Sequence, residues 1–179
     1  MKYIYDDNLE TARLRTRKVT KNDISIWADF FIDEEAVKFL PVLEFCSAED
    51  TAAYWIDKQL NRYVDERFGL QALIEKSTNN FIGLCGLLSQ EIDGKIEIEV
   101  GYHILKKYWG QGFAPEASKL FIDYAFKNNL QDSVISIIDK NNIKSQRVAD
   151  KNGLVMEKEI KWSDKDVYIY RIIKRDWKN

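Results

Sequence analysis

The sequence has very few of the residues that bind metals or form disulfides. Its 179 residues include one histidine, His103, and two cysteines, Cys46 and Cys85. A single histidine excludes a metal centre built on several imidazoles, and the two cysteines lack the paired spacing of a zinc site. We therefore expect no metal, and we expect both cysteines to be reduced, buried packing residues.

The chain also lacks a long apolar run and a charge excess of either sign. Its 27 Lys and Arg residues nearly balance 29 Asp and Glu residues, and the formal net charge of −2 gives no basic face for nucleic acid. No stretch approaches the ~18 uninterrupted apolar residues of a membrane span, and the amino-terminal MKYIYDDNLE has no apolar signal segment. These absences predict a cytoplasmic protein that binds neither nucleic acid nor a membrane.

Apolar residues are nevertheless numerous enough to form one core. At 45% hydrophobic and 31% charged residues, with no repeat or linker, the chain is expected to form one domain over residues 1–179. Period-2 and short apolar runs predict strands, of which the second to the fourth are consecutive and antiparallel. These runs are TARLRTRKV, GLQALIEK, FIGLCGLLSQE, KIEIEVGYHIL, SVISIID, LVMEKEI and DVYIYRII.

Helices are expected where capping residues precede segments with a 3.6-residue apolar period. Asp23 is the expected cap of the first helix, and Ser47, with Asp50 three positions on, caps a longer one. A helix from Pro115 to Asn128 and a last one ended by Asn152 and Gly153 follow. The element order predicts an α+β fold with a mixed, mostly antiparallel central sheet flanked by helices.

Two of the eight glycines, Gly110 and Gly112, lie between a predicted strand and the helix that begins at Pro115. A glycine loop at a helix amino terminus directs free backbone N–H groups and the positive helix end at one point, which suits a phosphate or pyrophosphate. The alternative is a tight strand-to-helix turn without a ligand. The pattern is neither a Walker loop nor a dinucleotide fingerprint.

Two segments together, EIEVGYHILKKYWGQGFAPEA and NNIKSQRVADKNGL, resemble the GNAT superfamily of acetyl-CoA-dependent N-acetyltransferases, and within it the RimJ/RimL type. The likeness extends from the opening strand to YRIIKRDW. The resemblance implies a GNAT fold, acetyl-CoA as the co-substrate and transfer of its acetyl group to an amine.

The resemblance also implies a cofactor site. The family signature falls on the loop from Trp109 to Ala114, in which Gln111, Gly112, Phe113 and Ala114 cradle the pyrophosphate of CoA. Trp109 and Gly110 of the same loop are further cofactor-binding residues. The backbone of the preceding strand end is expected to pair with the pantetheine arm, through His103, Ile104 and Leu105. Asn142 and Ser145 match the Asn-x-x-Ser motif that lies beside the pantetheine and the thioester sulfur.

Acetyl transfer to an amine calls for a base, since freeing an amine of pKa ~10 at pH 7 costs about 4 kcal/mol. By period 2, Glu97, Glu99, Gly101 and His103 share one face of a strand. Glu99 matches the acidic position of the family motif and is the expected base, acting through a water. The alternatives are a solvated strand carboxylate at Glu99, which we also expect for Glu97, and His103 as the base.

Ser145 has two possible roles, and Tyr102 is a further polar side chain whose role needs assigning. Ser145 can donate a hydrogen bond to the departing sulfur, which makes it a candidate catalytic residue, or it can cap a helix. Tyr102 is expected to be a core aromatic and not an acid.

The acceptor is the least defined part of the prediction. The early helices carry acidic residues among aromatic ones, which suits a cationic amine with an apolar flank and equally suits a solvated helix with a buried stripe. These residues are Asp29, Asp33, Glu34, Glu35, Glu44, Trp27, Phe30, Phe31 and Phe39.

The sequence leaves the acceptor amine open among a protein N-terminus, a polyamine and another small amine. It also leaves open the use of longer acyl-CoAs and a monomer or a homodimer. The alternative function is a non-catalytic acyl-CoA-binding module, which would keep the glycine loop without needing a proton acceptor at Glu99.

Overall fold

The computed structural model describes Tyr5 and residues 8–41 and 45–178. The strands are β1 (Leu14–Arg17), β2 (Gln71–Glu75), β3 (Phe81–Ile92), β4 (Lys95–Ile104), β5 (Ser133–Asp139), β6 (Val155–Trp162) and β7 (Lys165–Ile173). The helices are α1 (Ile24–Ile32), α2 (Glu34–Val37), α3 (Ala48–Val64), α4 (Phe113–Lys127) and α5 (Ile143–Lys151), with short 3-10 turns at Lys21–Asp23, Lys106–Tyr108 and Lys174–Asp176.

The strands form one seven-stranded sheet in the order β1-β2-β3-β4-β5-β7-β6. Every neighbouring pair is antiparallel except β4 and β5, which run parallel and are in register only at Glu99 and Ile135 among the described residues. Because β4 continues to Ile104 without further pairing to β5, the two strands separate beyond Glu99. This separation opens the centre of the sheet to a ligand.

Two hydrophobic clusters cover the two faces of the sheet. Helix α4 buries Ala117, Phe121 and Ile122 on one face, and α1 and α3 bury Trp27 and Ile56 on the other. Because strand side chains alternate between faces, the apolar residues of β3 and β4 serve both clusters. A third cluster joins the end of the β3–β4 hairpin to β5 and β7 through Ile92, Ile135 and Ile169.

The structure confirms the predicted α+β fold and corrects several local details. The Ser47 hydroxyl accepts from the Asp50 N–H at 3.0 Å, as the capping pattern predicts. Asp23 is not a side-chain cap of α1, because its carboxylate instead accepts from Arg17 at 2.7 and 2.8 Å. Cys85 is buried as expected, but Cys46 is exposed, because it lies in the loop before α3. In the described ranges no helix is long and apolar enough to cross a membrane.

Candidate active site

A cavity of about 870 Å³ lies where β4 and β5 separate. Its lining comes from five parts of the chain: the end of β4, the loop and first turn of α4, the end of β5 with α5, the region from α1 to Leu40, and Leu88 of β3. Most of the site residues predicted from the sequence line it, namely Glu99, His103, Ile104, Trp109, Gly110, Gly112, Phe113, Ala114, Asn142 and Ser145. Leu105 and Gln111 are not among its lining residues.

The glycine loop follows a 3-10 turn at the end of β4 and leads directly into α4. Gly110 and Gly112 have φ of +75° and +82°, which favours glycine because a Cβ strains this conformation. A Cβ built on Gly110 would meet no described atom within 4 Å, and one on Gly112 would meet only the Arg13 side chain, at 3.4 Å. Open space in front of a helix amino terminus is the geometry that admits a phosphate. Helix α4 begins at Phe113, so Pro115 lies inside its first turn.

The indole of Trp109 fixes this loop to β4, since its Nε1 donates to the Ile104 carbonyl at 2.7 Å. The Leu105 N–H donates to the Ile82 carbonyl at 3.0 Å, and the Leu105 side chain is buried. Only His103 and Ile104 of the predicted pantetheine-binding backbone therefore reach the cavity.

Arg13, near the start of β1, supports the loop from outside the cavity. Its Nε donates to Glu116 Oε2 at 2.6 Å, its Nη1 donates to the Gln111 carbonyl at 2.8 Å, and its guanidinium lies 4.4 Å from the Phe113 ring centroid. Burial alone would raise the pKa of Glu116, but hydrogen bonds from Thr11 and Arg13 lower it, so Glu116 stays ionised. Sequence reasoning missed Arg13, because no local pattern links it to a loop about a hundred residues away.

Glu99 is buried, with 9% of its surface exposed, and it lines the cavity at the point where β4 and β5 separate. Gln90 Nε2 donates to its Oε2 at 2.6 Å. Burial raises the pKa of Glu99, and hydrogen bonds from Gln90 and the Ile137 backbone, with the charge of Arg62, offset part of this rise. A carboxylate with a raised pKa is a better proton acceptor near neutral pH than a solvated one.

Glu97 is not the solvated carboxylate that the strand pattern suggests. Only 14% of its side chain is exposed, and both of its oxygens accept from Arg171, at 2.9 and 3.0 Å. The same guanidinium donates to Ser133 and Glu157. Because Arg171 is on β7 and Ser133 on β5, this ion pair joins β4 to its neighbours below the point where the strands separate.

His103 lines the cavity inside a ring of aromatic side chains. Its centroid lies 5.1 Å from that of Trp55, 5.7 Å from Phe30 and 6.5 Å from Trp27. Burial lowers the pKa of His103 to about 4, so the imidazole is neutral at pH 7 and a poor proton acceptor. The geometry therefore favours Glu99 over His103 as a base.

The start of α5 forms the opposite wall of the cavity. Asn142 Oδ1 accepts from the Ser145 N–H at 3.1 Å and caps the helix. The Tyr102 hydroxyl donates to the Ser145 carbonyl at 3.3 Å, and burial raises its pKa. Tyr102 packs against the core as expected, but it also lines the cavity, a position that its pattern in the strand does not reveal.

The acidic residues of the α1–α2 region are divided between the cavity and the outside. Glu35 lines the cavity, where Lys144 and Lys106 contact it at 2.5 and 3.1 Å and lower its pKa. Lys106 also contacts Asp33 at 3.0 Å. Asp29 and Glu34 are not lining residues, and Glu44 lies outside the described residues. Within the described ranges no group of three His, Cys, Asp or Glu side chains could hold a metal ion.

Comparison with known proteins agrees with this geometry. Residues 13–155 match the family model for the acetyltransferase (GNAT) domain. The chain is 30% identical to the uncharacterized N-acetyltransferase p20 of Bacillus licheniformis, over 96% of this chain and 98% of that protein.

Two solved structures share the fold. The GNAT-family acetyltransferase of Bacillus anthracis superimposes with a TM-score of 0.78 at 22% identity, over 94% of this chain and 99% of that one. RimL, a ribosomal α-N-protein acetyltransferase solved in complex with coenzyme A, superimposes with a TM-score of 0.75 at 12% identity, over 93% of this chain and 98% of that one. Because the family model matches residues 13–155 and p20 is 30% identical over nearly the whole chain, the chain belongs to the GNAT acetyltransferase family and is an acyltransferase.

Proposed function

We propose that this chain is an acetyl-CoA-dependent N-acetyltransferase that transfers the acetyl group to a primary amine by direct attack of the amine on the thioester. The observation that carries the proposal is the position of the buried Glu99 carboxylate, which opens onto the same cavity as the glycine loop. A phosphate-binding loop alone would suit a binding module. A carboxylate with a raised pKa in the same cavity suits an enzyme that must deprotonate an amine.

The lining residues fit acetyl-CoA as the co-substrate. The open backbone at Gly110 and Gly112 and the amino terminus of α4 would hold the pyrophosphate. Ala114 is small enough to leave the first turn accessible, and the backbone of His103 and Ile104 would contact the pantetheine arm. The thioester supplies an electrophilic carbonyl and a thiol leaving group of pKa ~8.5.

In the proposed reaction Glu99 accepts a proton from the amine through a water while the amine nitrogen forms a bond to the acetyl carbon and the bond to sulfur breaks. Gln90 holds the carboxylate in place, and the side chain of Ser145 would donate a hydrogen bond to the departing sulfur. Since a thiolate leaves readily, we expect activation of the amine to contribute more than proton donation to sulfur.

We also propose that the chain is of the RimJ/RimL type. Support comes from Trp109 in the first position of the signature, where its indole closes the loop onto Ile104, and from the fold shared with RimL. That neighbour acetylates a protein, which makes a protein N-terminus one candidate acceptor and a small primary amine the other.

The proposal is tested by measuring CoA release from acetyl-CoA with a panel of primary amines, for the wild type, Glu99→Gln and Glu91→Gln. Glu91 is a matched control, because it is an exposed carboxylate on β3 outside the cavity lining. We expect amine-dependent CoA release that falls about 100-fold or more in Glu99→Gln and stays at the wild-type rate in Glu91→Gln.

Thermal unfolding provides the second measurement. Acetyl-CoA at 100 times its dissociation constant should stabilise the protein by about 2.7 kcal/mol, whereas NAD or ATP should have a smaller effect. A thermal shift without turnover of any amine would favour the acyl-CoA-binding module instead. The absence of any shift at millimolar acetyl-CoA would contradict both functions.

A further inference from the structure

The walls of the cavity on the side of α1 and α2 are mostly apolar. We call the part of the cavity lined by Phe30, Ala36, Phe39, Leu40 and Leu88 the acceptor chamber. These side chains come from α1, α2, the segment after α2 and β3, and Leu88 is the cross-strand partner of Glu99. Apolar walls favour a ligand that can bury carbon, at about 0.8 kcal/mol for each methylene.

The segment that carries Phe39 and Leu40, at one end of the acceptor chamber, is held by a lysine that does not itself line the cavity. Lys165, at the start of β7, donates from Nζ to the carbonyls of Phe39 and Leu40, at 2.9 and 2.8 Å. Lys38 lines the same end with its Nζ 5.5 Å from the centroid of the Phe39 ring. The Lys38 ammonium at this end opposes the approach of a second cationic group on the acceptor.

In the part of the chain that the structure describes, the carboxylates of the cavity lining are Glu35, Glu99 and Asp139. Glu35 already contacts Lys106 and Lys144, and one oxygen of Asp139 accepts from the Asn141 N–H at 2.9 Å. Compared with these three acids, the lining has four cationic side chains, Lys38, Lys144, Arg147 and Lys151. Among the described residues, the lining therefore has no acidic excess to offset the several charges of a polyamine.

Placing an ammonium group against an apolar wall without a partner is costly, so each additional charge on the acceptor would need its own carboxylate. Glu99 can serve one amine, and its Oε2 is already held by Gln90. We propose, on the basis of the acetyltransferase function proposed above, that the acceptor is a primary amine with a single positive charge and an apolar or aromatic group within a few bonds of the nitrogen, and not a polyamine.

The same chemistry occurs in two sources, namely small arylalkyl amines and the α-amine of a peptide whose first residue is apolar. The test therefore measures kcat/KM with acetyl-CoA for phenethylamine, methylamine and spermidine, and for the tripeptides Phe-Gly-Gly and Lys-Gly-Gly. We expect the kcat/KM of phenethylamine to exceed that of methylamine at least tenfold, or the kcat/KM of Phe-Gly-Gly to exceed that of Lys-Gly-Gly at least tenfold. The preferred substrate should also exceed spermidine at least tenfold. The better of the two identifies the source.

Lys38→Glu tests the charge argument directly, with Lys58→Glu as its control. Both lysines are exposed and lie over an aromatic ring, Lys38 over Phe39 and Lys58 over Tyr54 at 6.0 Å, but Lys58 is on α3 and is not a lining residue. In Lys38→Glu the preference for phenethylamine over spermidine should fall by about threefold or more, the size expected for exposed charges. In Lys58→Glu it should stay within twofold of wild type.

The outcomes separate this inference from the proposed function. A wild-type enzyme that acetylates spermidine within tenfold of the better of phenethylamine and Phe-Gly-Gly would overturn the inference and leave the N-acetyltransferase function in place. An equal change of preference in both lysine variants would also overturn it. Binding of acetyl-CoA without acetylation of any amine would contradict the proposed function itself.

Discussion

Gly112→Ala is the most direct test of the proposed pyrophosphate site, because the structure provides a matched control. Gly112 has φ of +82° in the loop before α4, and Gly94 has φ of +75° in the turn between β3 and β4. A Cβ on Gly94 would meet no described atom within 4 Å, and one on Gly112 would meet only the Arg13 side chain, at 3.4 Å. The two substitutions therefore impose a similar backbone strain, and only Gly112 lies in the cavity.

The expected effect on stability is the same for both variants. A residue with a Cβ in the left-handed region lowers the free energy of unfolding by roughly 1–2 kcal/mol. In a chain of this size, each kcal/mol lost lowers the melting temperature by about 2–4 °C. The expected effect on binding differs. A methyl group on Gly112 would keep a phosphate oxygen away from the loop N–H groups, and the loss of one charge-assisted hydrogen bond is worth about 1.5–3 kcal/mol.

We therefore expect the affinity for acetyl-CoA to fall at least tenfold in Gly112→Ala and less than twofold in Gly94→Ala. Calorimetric titration at a temperature at which both variants are folded measures the affinity, and thermal unfolding measures the stability. Equal affinities in the two variants would show that Gly112 serves only the turn, and the loop from Trp109 to Ala114 would then be a structural connector. A Gly94→Ala variant with weakened binding would show that the strain itself is responsible.

Three further predictions follow from the contacts around the cavity. Because a base must be unprotonated, kcat/KM should rise with pH through the raised pKa of Glu99, and Glu99→Gln should flatten this acidic limb in a pH–rate profile. Arg13→Gln should weaken acetyl-CoA binding in calorimetry by at least threefold, because the Gln111 carbonyl and Glu116 lose their support, while kcat changes less. Arg171→Gln should lower the free energy of unfolding in urea by about 1–3 kcal/mol, because it leaves the Glu97 carboxylate unpaired. The double variant Arg171→Gln, Glu97→Gln should recover part of this loss, because it removes that carboxylate.

Much of the fold can be predicted from the sequence because the strands and long helices have strong local patterns. The period-2 run of β4 and the capping pair Ser47 and Asp50 depend on neighbours in the chain, and the structure confirms both. Asp23 shows how a local rule fails. Aspartate is a common capping residue, but the Asp23 carboxylate accepts two charge-assisted hydrogen bonds from Arg17 on the adjacent strand. These bonds are stronger than those that the helix N–H groups offer.

The supports of the candidate site could not be predicted, because they join segments that are distant in sequence. Arg13 reaches the loop before α4 from the first strand, and Arg171 reaches Glu97 from the last one. A strand pattern assigns Glu97 to a face of the sheet, but the exposure of that face depends on what covers it. Here Ile92, Ile135 and Ile169 form a hydrophobic cluster on the same face as Glu97 and Glu99, so apolar side chains flank both carboxylates.

The same apolar surroundings explain why the carboxylate at the opening of the sheet, Glu99, has a raised pKa. Glu99 is paired with Leu88 of β3 and with Ile135 of β5, so strands on both sides hold its backbone. From the next residues on, β4 has a partner on one side only, and the other side faces the cavity. A base placed one residue earlier would point to the opposite face, and one placed two residues earlier would meet Arg171, as Glu97 does. Glu99 is therefore the one acidic residue of β4 whose side chain is both buried by the sheet and free of an ion pair among the described residues, and it adjoins the space in which an amine would lose its proton.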